Sequence, residues 1–337
     1  MTAQNKKRII VAFLLADAAL LILGIMNFRL FRDKAGLPEK YESVVEDFSF
    51  RQDGSYYQQK IIEIEGKGVE SRAAIDFLLL SYRYNDTVKI KSADSSGNIS
   101  SERIALPRKY GALDLQIMAM VALFYFITGI FVLLKYRNTS FAYIVHSLTI
   151  AVGAMIIFEW GNVITYNSVI NFINYWLFEI SIYLAPTFFL HFSFVYPVKA
   201  KENQLVFLTP FYYATLTFIT ISTIHLVKIF FLGADPAGMY FLTFHTTVSD
   251  VYLAIVLILT IAKLEHSALT LTHAHYKKQV YWVLLGIMFG PLIYMFLFLI
   301  PRILMGYELV SSAFMQFTVV IAPVTLLISI TGRRQHH

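Results

Sequence analysis

Apolar residues in this chain gather into eight long blocks: 9–26, 113–134, 141–158, 172–196, 205–226, 246–261, 280–304 and 314–330. One long polar stretch, 29–112, separates the first block from the other seven. A bilayer's hydrocarbon core of about 30 Å takes about 20 helical residues, so each block is read as a membrane-crossing helix. The pattern predicts an all-α polytopic membrane bundle of about eight transmembrane helices. The block at 246–261 is the shortest of them.

In the polar stretch the period changes from helical to alternating. Residues 44–51 alternate apolar and polar until Asp53-Gly54 breaks the run, and 60–65 (KIIEIE) alternate again. Gly66-Lys67-Gly68 predicts a turn, and Ser71 stands as the N-cap of a helix to about Tyr82 with Ile75, Leu78 and Leu79 on one face. Residues 86–93 and 100–106 read as a hairpin around Ser95-Ser96-Gly97-Asn98. The order strand, strand, helix, strand, strand predicts a small α+β domain between the first two membrane helices.

Composition agrees with a bilayer as solvent: 57% of residues are hydrophobic and the mean hydropathy is +0.60. A soluble protein this apolar could not cover its own surface. The net charge of +6 matters less than its placement. With the N-terminus inside, the short inner segments hold twelve Lys and Arg, from Lys6, Lys7 and Arg8 to Lys277, Lys278, Arg333 and Arg334; the short outer loops hold Lys228 and Arg302. That asymmetry predicts both termini in the cytoplasm, 29–112 outside, and charge that serves topology rather than nucleic-acid binding. No small-residue cleavage site follows Met26, so the first block reads as an uncleaved signal anchor. The chain has no cysteine, which excludes disulfides, thiolate metal sites and cysteine nucleophiles.

Ionisable side chains at bilayer depth are costly, so each is a candidate for function. Asp17 lies in the first block, Glu159 near the outer end of the third, Glu179 in the fourth and Asp250 near the outer end of the sixth; His146, His191 and His225 join them. Glu179, Glu159, Asp250 and His191 are the candidates for a ligand or signal pocket, set against the alternative of structural polar contacts. Glu179 shares a helix face with Tyr183, and Thr187 shares one with His191. Pro186 kinks the same helix. Enzyme signatures are missing: there is no H-E-x-x-H, no G-x-S-x-G, no Walker A sequence, and His273-Ala274-His275 alone does not make a di-iron site. Neither catalysis nor a metal or other cofactor is expected.

Two resemblances add to this reading. KIIEIEGKGVES at 60–71, the helix after it and NDTVKI at 85–90 resemble a PDZ domain of bacterial membrane proteins, with Gln59-Lys60 in place of Gly-Asp and Asn85 in place of a later Gly. No glycine loop for a terminal carboxylate is identifiable between Tyr41 and Tyr57, so weak or no binding of free peptide C-termini is expected. Farther on, FFLHFSFVYP at 188–197 is similar to an "hFxxxFP" line. HYKKQVYWVLLGIMFGPLIYMF at 275–296 is similar to "RxQxxWxxxGxxxGxxP", with Lys277 where Arg is usual. With Pro323 in mid-helix of the last block, these resemble the membrane input region of bacterial sensor histidine kinases of the competence and quorum-sensing type.

The resemblance implies a signal-sensing module in the bacterial cell membrane. It would pass a peptide or small-molecule signal to a kinase or phosphatase output, as a homodimer working with a response regulator. Its parts would be an N-terminus and anchor at 1–28, the PDZ-like domain at 29–112, a seven-helix sensor block at 113–331 and a cytoplasmic end at 332–337. A small-molecule transporter, or an assembly factor for exported protein, is the alternative. On the residues alone, Lys277, Lys278 and Gln279 predict headgroup anchors. Gly286 and Gly290 predict a small-residue packing face, and Pro291 the end of regular helical bonding.

Overall fold

The computed structural model describes residues 3–37, 60–69, 75, 78–79, 81–93, 97–158, 168–232, 236–305 and 318–331. Eight helices are named here: α1 (Ala3–Phe31), α2 (Ala112–Lys135), α3 (Ser140–Phe158), α4 (Ser168–Val195), α5 (Thr209–Phe231), α6 (Pro236–Thr270), α7 (Ala274–Phe289) and α8 (Ile321–Thr331). Among the described residues, seven spans are long and apolar enough to cross a membrane, the last running from Ala274 to Leu297. The protein is a multi-pass helical membrane bundle.

Its helices bury small and polar residues among apolar ones and leave many large aliphatic side chains exposed, as helices in lipid do. α1 shows this most plainly. Asp17, Gly24 and Asn27 fall on one buried line, while Leu15, Ile22 and Ile25 are exposed. Asn27 is the clamp: it donates from Nδ2 to the Ile157 carbonyl at 3.3 Å and accepts from Asn174 Nδ2 at 2.8 Å. One side chain thereby ties α1 to both α3 and α4. Behind it, Met118, Phe126, Ile157 and Phe158 fill a core between α2 and α3. A second core, with Val145, Phe192, Leu257, Val283 and Ile330, joins α3, α4, α6, α7 and α8.

Two predicted spans have different bounds in the structure. α6 is 35 residues long rather than the shortest span, because helix extends past both ends of the apolar block, through 236–245 (PAGMYFLTFH) before it and 262–270 (AKLEHSALT) after it. The last block is not one helix. A turn at Val320 separates Thr318-Val319 from α8, so Pro323 lies in the first turn of α8, not in mid-helix. Pro323 has no N–H for the Val319 carbonyl four residues back; that carbonyl instead accepts the Tyr125 hydroxyl from α2 at 2.8 Å. Residues 314–317 of this block lie outside the described residues.

The domain between α1 and α2 is a four-stranded antiparallel sheet in the order β2-β1-β3-β4, formed by Lys60–Ile64, Lys67–Gly68, Thr87–Ala93 and Ile99–Ala105 (β1 to β4). Lys67 and Gly68 are strand rather than turn. The turn is Glu65-Gly66, both at positive φ (48° and 80°), the two-residue form that suits a hairpin's twist. Glu65 also accepts the Lys89 N–H at 2.6 Å, which pins the turn to β3. Ile61, Ile64, Ile75, Val88, Ile90 and Ile104 form the core of the domain. Of the predicted helix, Ile75, Leu78 and Leu79 are helical; its other residues through Leu80, and the strand at 44–51, lie outside the described residues. The chain enters and leaves side by side, with Gly36 N–H donating to the Pro107 carbonyl at 2.8 Å, so α1 and α2 leave the domain as neighbours.

Candidate functional site

A buried polar assembly sits where α4, α5 and α6 meet. Glu179 of α4 accepts a hydrogen bond at Oε2 from Ser222 Oγ of α5 at 3.0 Å. The same oxygen lies 3.2 Å from His245 Nδ1 of α6. Nδ1 is also 2.9 Å from the Tyr183 hydroxyl, one turn along α4 from Glu179. The imidazole thus has two competitors at one nitrogen. With a proton on Nδ1 it donates to the carboxyl; without one it accepts from the tyrosine.

A second cluster continues the first by one turn. Thr187 Oγ1 is hydrogen-bonded to Thr215 Oγ1 at 2.6 Å and to the Tyr252 hydroxyl at 2.7 Å. Thr215 and Tyr252 are themselves bonded at 2.9 Å. Three hydroxyls, one from each helix, close a triangle. The Tyr183 ring joins the two clusters, stacked on Phe218 with centroids 5.1 Å apart and 6.0 Å from the Tyr252 ring. The neighbouring Pro186 has no N–H for the Ile182 carbonyl four residues back, and Thr187 Oγ1 donates to the next carbonyl, that of Tyr183, at 3.1 Å.

The sequence candidates divide around this site. Glu179 is at its centre. Asp250 is buried and lies within electrostatic reach of the Tyr183 hydroxyl. It lies near one end of the span Thr247–Thr270, as the sequence suggests, although α6 itself begins at Pro236, about four turns earlier. His191 is elsewhere: about 18 Å along α4 from Glu179, it is hydrogen-bonded through Nδ1 to the Tyr212 hydroxyl at 2.7 Å. Glu159 lies outside the described residues. Asp17 and His146 are both buried and approach each other to 3.5 Å between α1 and α3, apart from the Glu179 site.

His245 was not among the sequence candidates, because the predicted span began one residue after it. The signal was present nonetheless: His245, Ser249 and Tyr252 recur at i, i+4 and i+7, one face of a helix that had only to be extended backwards. Among the described residues no three His, Asp or Glu side chains converge. Glu179 and His245 alone fall short of the three or four protein ligands of ordinary zinc sites.

The packing candidates lie on the other side of the bundle. Gly286 and Gly290 of α7 face α8: a Cβ on Gly286 would stand 3.1 Å from Ala322 Cα, and one on Gly290 would stand 3.3 Å from the Thr318 carbonyl. After Gly290 the helix restarts at Pro291–Tyr294 and passes into a π-helical turn, Met295–Leu299. Lys277 is half-buried in the first turn of α7. Gln279 is no headgroup anchor. It is 3% exposed, its carbonyl accepts Ser329 Oγ of α8 at 2.7 Å, and Ser329 is bonded to the Tyr196 hydroxyl at 2.8 Å. The foot of α8 is therefore held by polar contacts from α4 and α7.

No protein-family model, no curated protein and no solved structure matches this chain.

Proposed function

We propose that this chain is a membrane-embedded sensing module in a bacterial cell membrane. The domain at 29–112 faces outward with a PDZ-like fold, both termini lie in the cytoplasm, and a signal shifts the bundle so that α8 drives a cytoplasmic kinase or phosphatase output. The observation that carries this reading is the Glu179–Ser222–His245–Tyr183 cluster. It places a carboxyl and an imidazole with two competing partners at membrane depth, the carboxyl about two turns before Pro186. Polar groups in lipid are expensive and tend to be kept for a purpose, and alternative hydrogen-bond partners give the helices two arrangements to choose between. The four-stranded sheet and the Lys and Arg asymmetry support the orientation and the outward domain.

The test joins the chain after Thr331 to a cytoplasmic histidine-kinase domain and measures autophosphorylation in membranes at matched protein level. Glu179→Gln keeps the shape and removes the charge, and should shift the output away from wild type. Trp176→Phe removes a bond to Thr223 (2.9 Å) on the same helices but outside the cluster, and should leave the output unchanged. Equal output from wild type and Glu179→Gln would reduce the cluster to a structural contact and remove the support for sensing.

A further inference from the structure

A cavity of about 130 Å³ lies in the middle of the bundle, within the core shared by α2, α3, α4, α6, α7 and α8. Its walls include Leu148, Ala185, Phe189, Leu257, Val283 and Leu326. The polar side chains that reach it are largely committed elsewhere. Tyr125 donates to the Val319 carbonyl at 2.8 Å, and Thr149 Oγ1 donates to the Val145 carbonyl at 2.9 Å. A water molecule needs two to four polar partners, and an apolar cavity of about 150 Å³ is known to stay dry and to accept benzene. The cavity is partly open rather than sealed, and most of the residues that line it lie in helices long and apolar enough to cross a membrane, so hydrocarbon is the medium that an opening among them meets.

We propose that the cavity is a binding site for one hydrocarbon chain of a membrane phospholipid. The chain end fills the cavity, and the remainder runs out through its open side to the bilayer. Prolines cluster around the site: Pro186, Pro291 and Pro323 all border it, and Met295, at the start of the π-helical turn Met295–Leu299, lines it too. The inference stands apart from the sensing reading, since it is read out by labelling rather than by any output.

The full chain is reconstituted in phosphatidylcholine vesicles carrying a phospholipid with a diazirine near the end of one acyl chain. A second arm uses the free fatty acid with the same diazirine. After irradiation, adducts are mapped by mass spectrometry. The phospholipid should label cavity residues such as Ala185, Phe189 and Leu257 as well as the lipid-facing Leu123 and Ile127. Ala185→Leu and Leu253→Phe, each filling the cavity from a different helix, should lower the cavity adducts roughly tenfold, the factor expected for excluding about two methylenes from an apolar site. Ile255→Phe, on the exposed face of α6, should leave them unchanged. Adducts confined to lipid-facing residues, or cavity adducts that neither filling variant reduces, would overturn the site. Cavity labelling by the fatty acid alone would overturn its assignment to phospholipid. A filling variant counts only if it remains monodisperse, and two are used so that one misfolded protein does not decide the outcome.

Discussion

Replacing Gly286 with alanine pits two effects of known size against each other. In an exposed helix the change would stabilise by about 0.8–1 kcal/mol, since glycine is the poorer helix former. At this position the added Cβ runs into Thr325 Oγ1 and stands 3.1 Å from Ala322 Cα and 3.2 Å from Thr325 Cβ. The threonine hydroxyl can rotate, but a backbone carbon cannot. α7 and α8 must therefore separate by a few tenths of an ångström, and overpacking of this kind costs about 1–3 kcal/mol. Net destabilisation of about 0–2 kcal/mol follows, because the crowding against α8 outweighs the gain in helix propensity. The assay is unfolding in mixed micelles by titration with a denaturing detergent. Thr325→Ala gives the decisive arm, because it removes the hydroxyl in the way without stranding a partner: Oγ1 donates only to the Ile321 and Ala322 carbonyls of its own helix. The double mutant should recover about 1 kcal/mol relative to additivity. A Gly286→Ala protein more stable than wild type, with additive behaviour beside Thr325→Ala, would refute close α7–α8 packing.

Two further outcomes test other joints. Tyr125→Phe strands the Val319 carbonyl that Pro323 has already deprived of its helical donor; it should destabilise by about 0.6–1.7 kcal/mol, the span measured for hydrogen bonds between membrane helices, and no loss in the same unfolding assay would mean that the carbonyl finds another donor. A Cβ built on Gly24 lies 3.7 Å from Ile157 Cβ, inside the usual range for a disulfide, so Gly24→Cys with Ile157→Cys in this cysteine-free chain should cross-link on mild oxidation and shift in non-reducing electrophoresis. Absence of the cross-link would place α1 off the bundle.

The membrane helices were legible because length and hydropathy are read directly from the residues, and lipid imposes helix on any long apolar run. The reading failed at the ends of a helix rather than in its middle. Residues 236–245 carry a proline, a glycine and a histidine among apolar residues and fell outside the predicted span, yet α6 begins at Pro236, a residue well suited to the first helical turn. This is how His245, which meets the best sequence candidate Glu179, was missed. Gln279 also misled: beside two lysines it reads as a headgroup residue, while the 100° step from the exposed Lys278 is enough to bring it to a buried contact with α8. In the small domain, alternation identified β1, β3 and β4, but the positive φ of Glu65, on a residue with no special preference for it, hid the turn one position earlier than Gly66-Lys67-Gly68 suggested.

Pro186 and Thr187 give the bundle its mechanical logic, because the two adjacent residues belong to different environments. Pro186 borders the apolar cavity, while Thr187 closes the hydroxyl triangle with Thr215 and Tyr252. Successive residues of a helix point about 100° apart, so at Pro186 and Thr187 a dry face of α4 meets a polar one. A rotation of the lower half of α4 that opened the triangle would carry Phe189 and Phe192, which line the cavity, along with it. Phe192 stacks on Tyr196 at 5.1 Å, and Tyr196 holds Ser329 at the foot of α8. The same rotation therefore reaches the last helix through packed rings rather than through a long hydrogen-bonded wire. Energetic coupling between the Glu179 cluster and α8 should accordingly depend on the bulk of Phe192 more than on any polar group between them. A double-mutant cycle of Glu179→Gln with Phe192→Leu, read by unfolding in mixed micelles, should show an interaction energy of about 0.5 kcal/mol or more. The same cycle with His191→Phe, on the Tyr212 side of α4, should be additive. Additivity in both would leave the two halves of α4 mechanically independent.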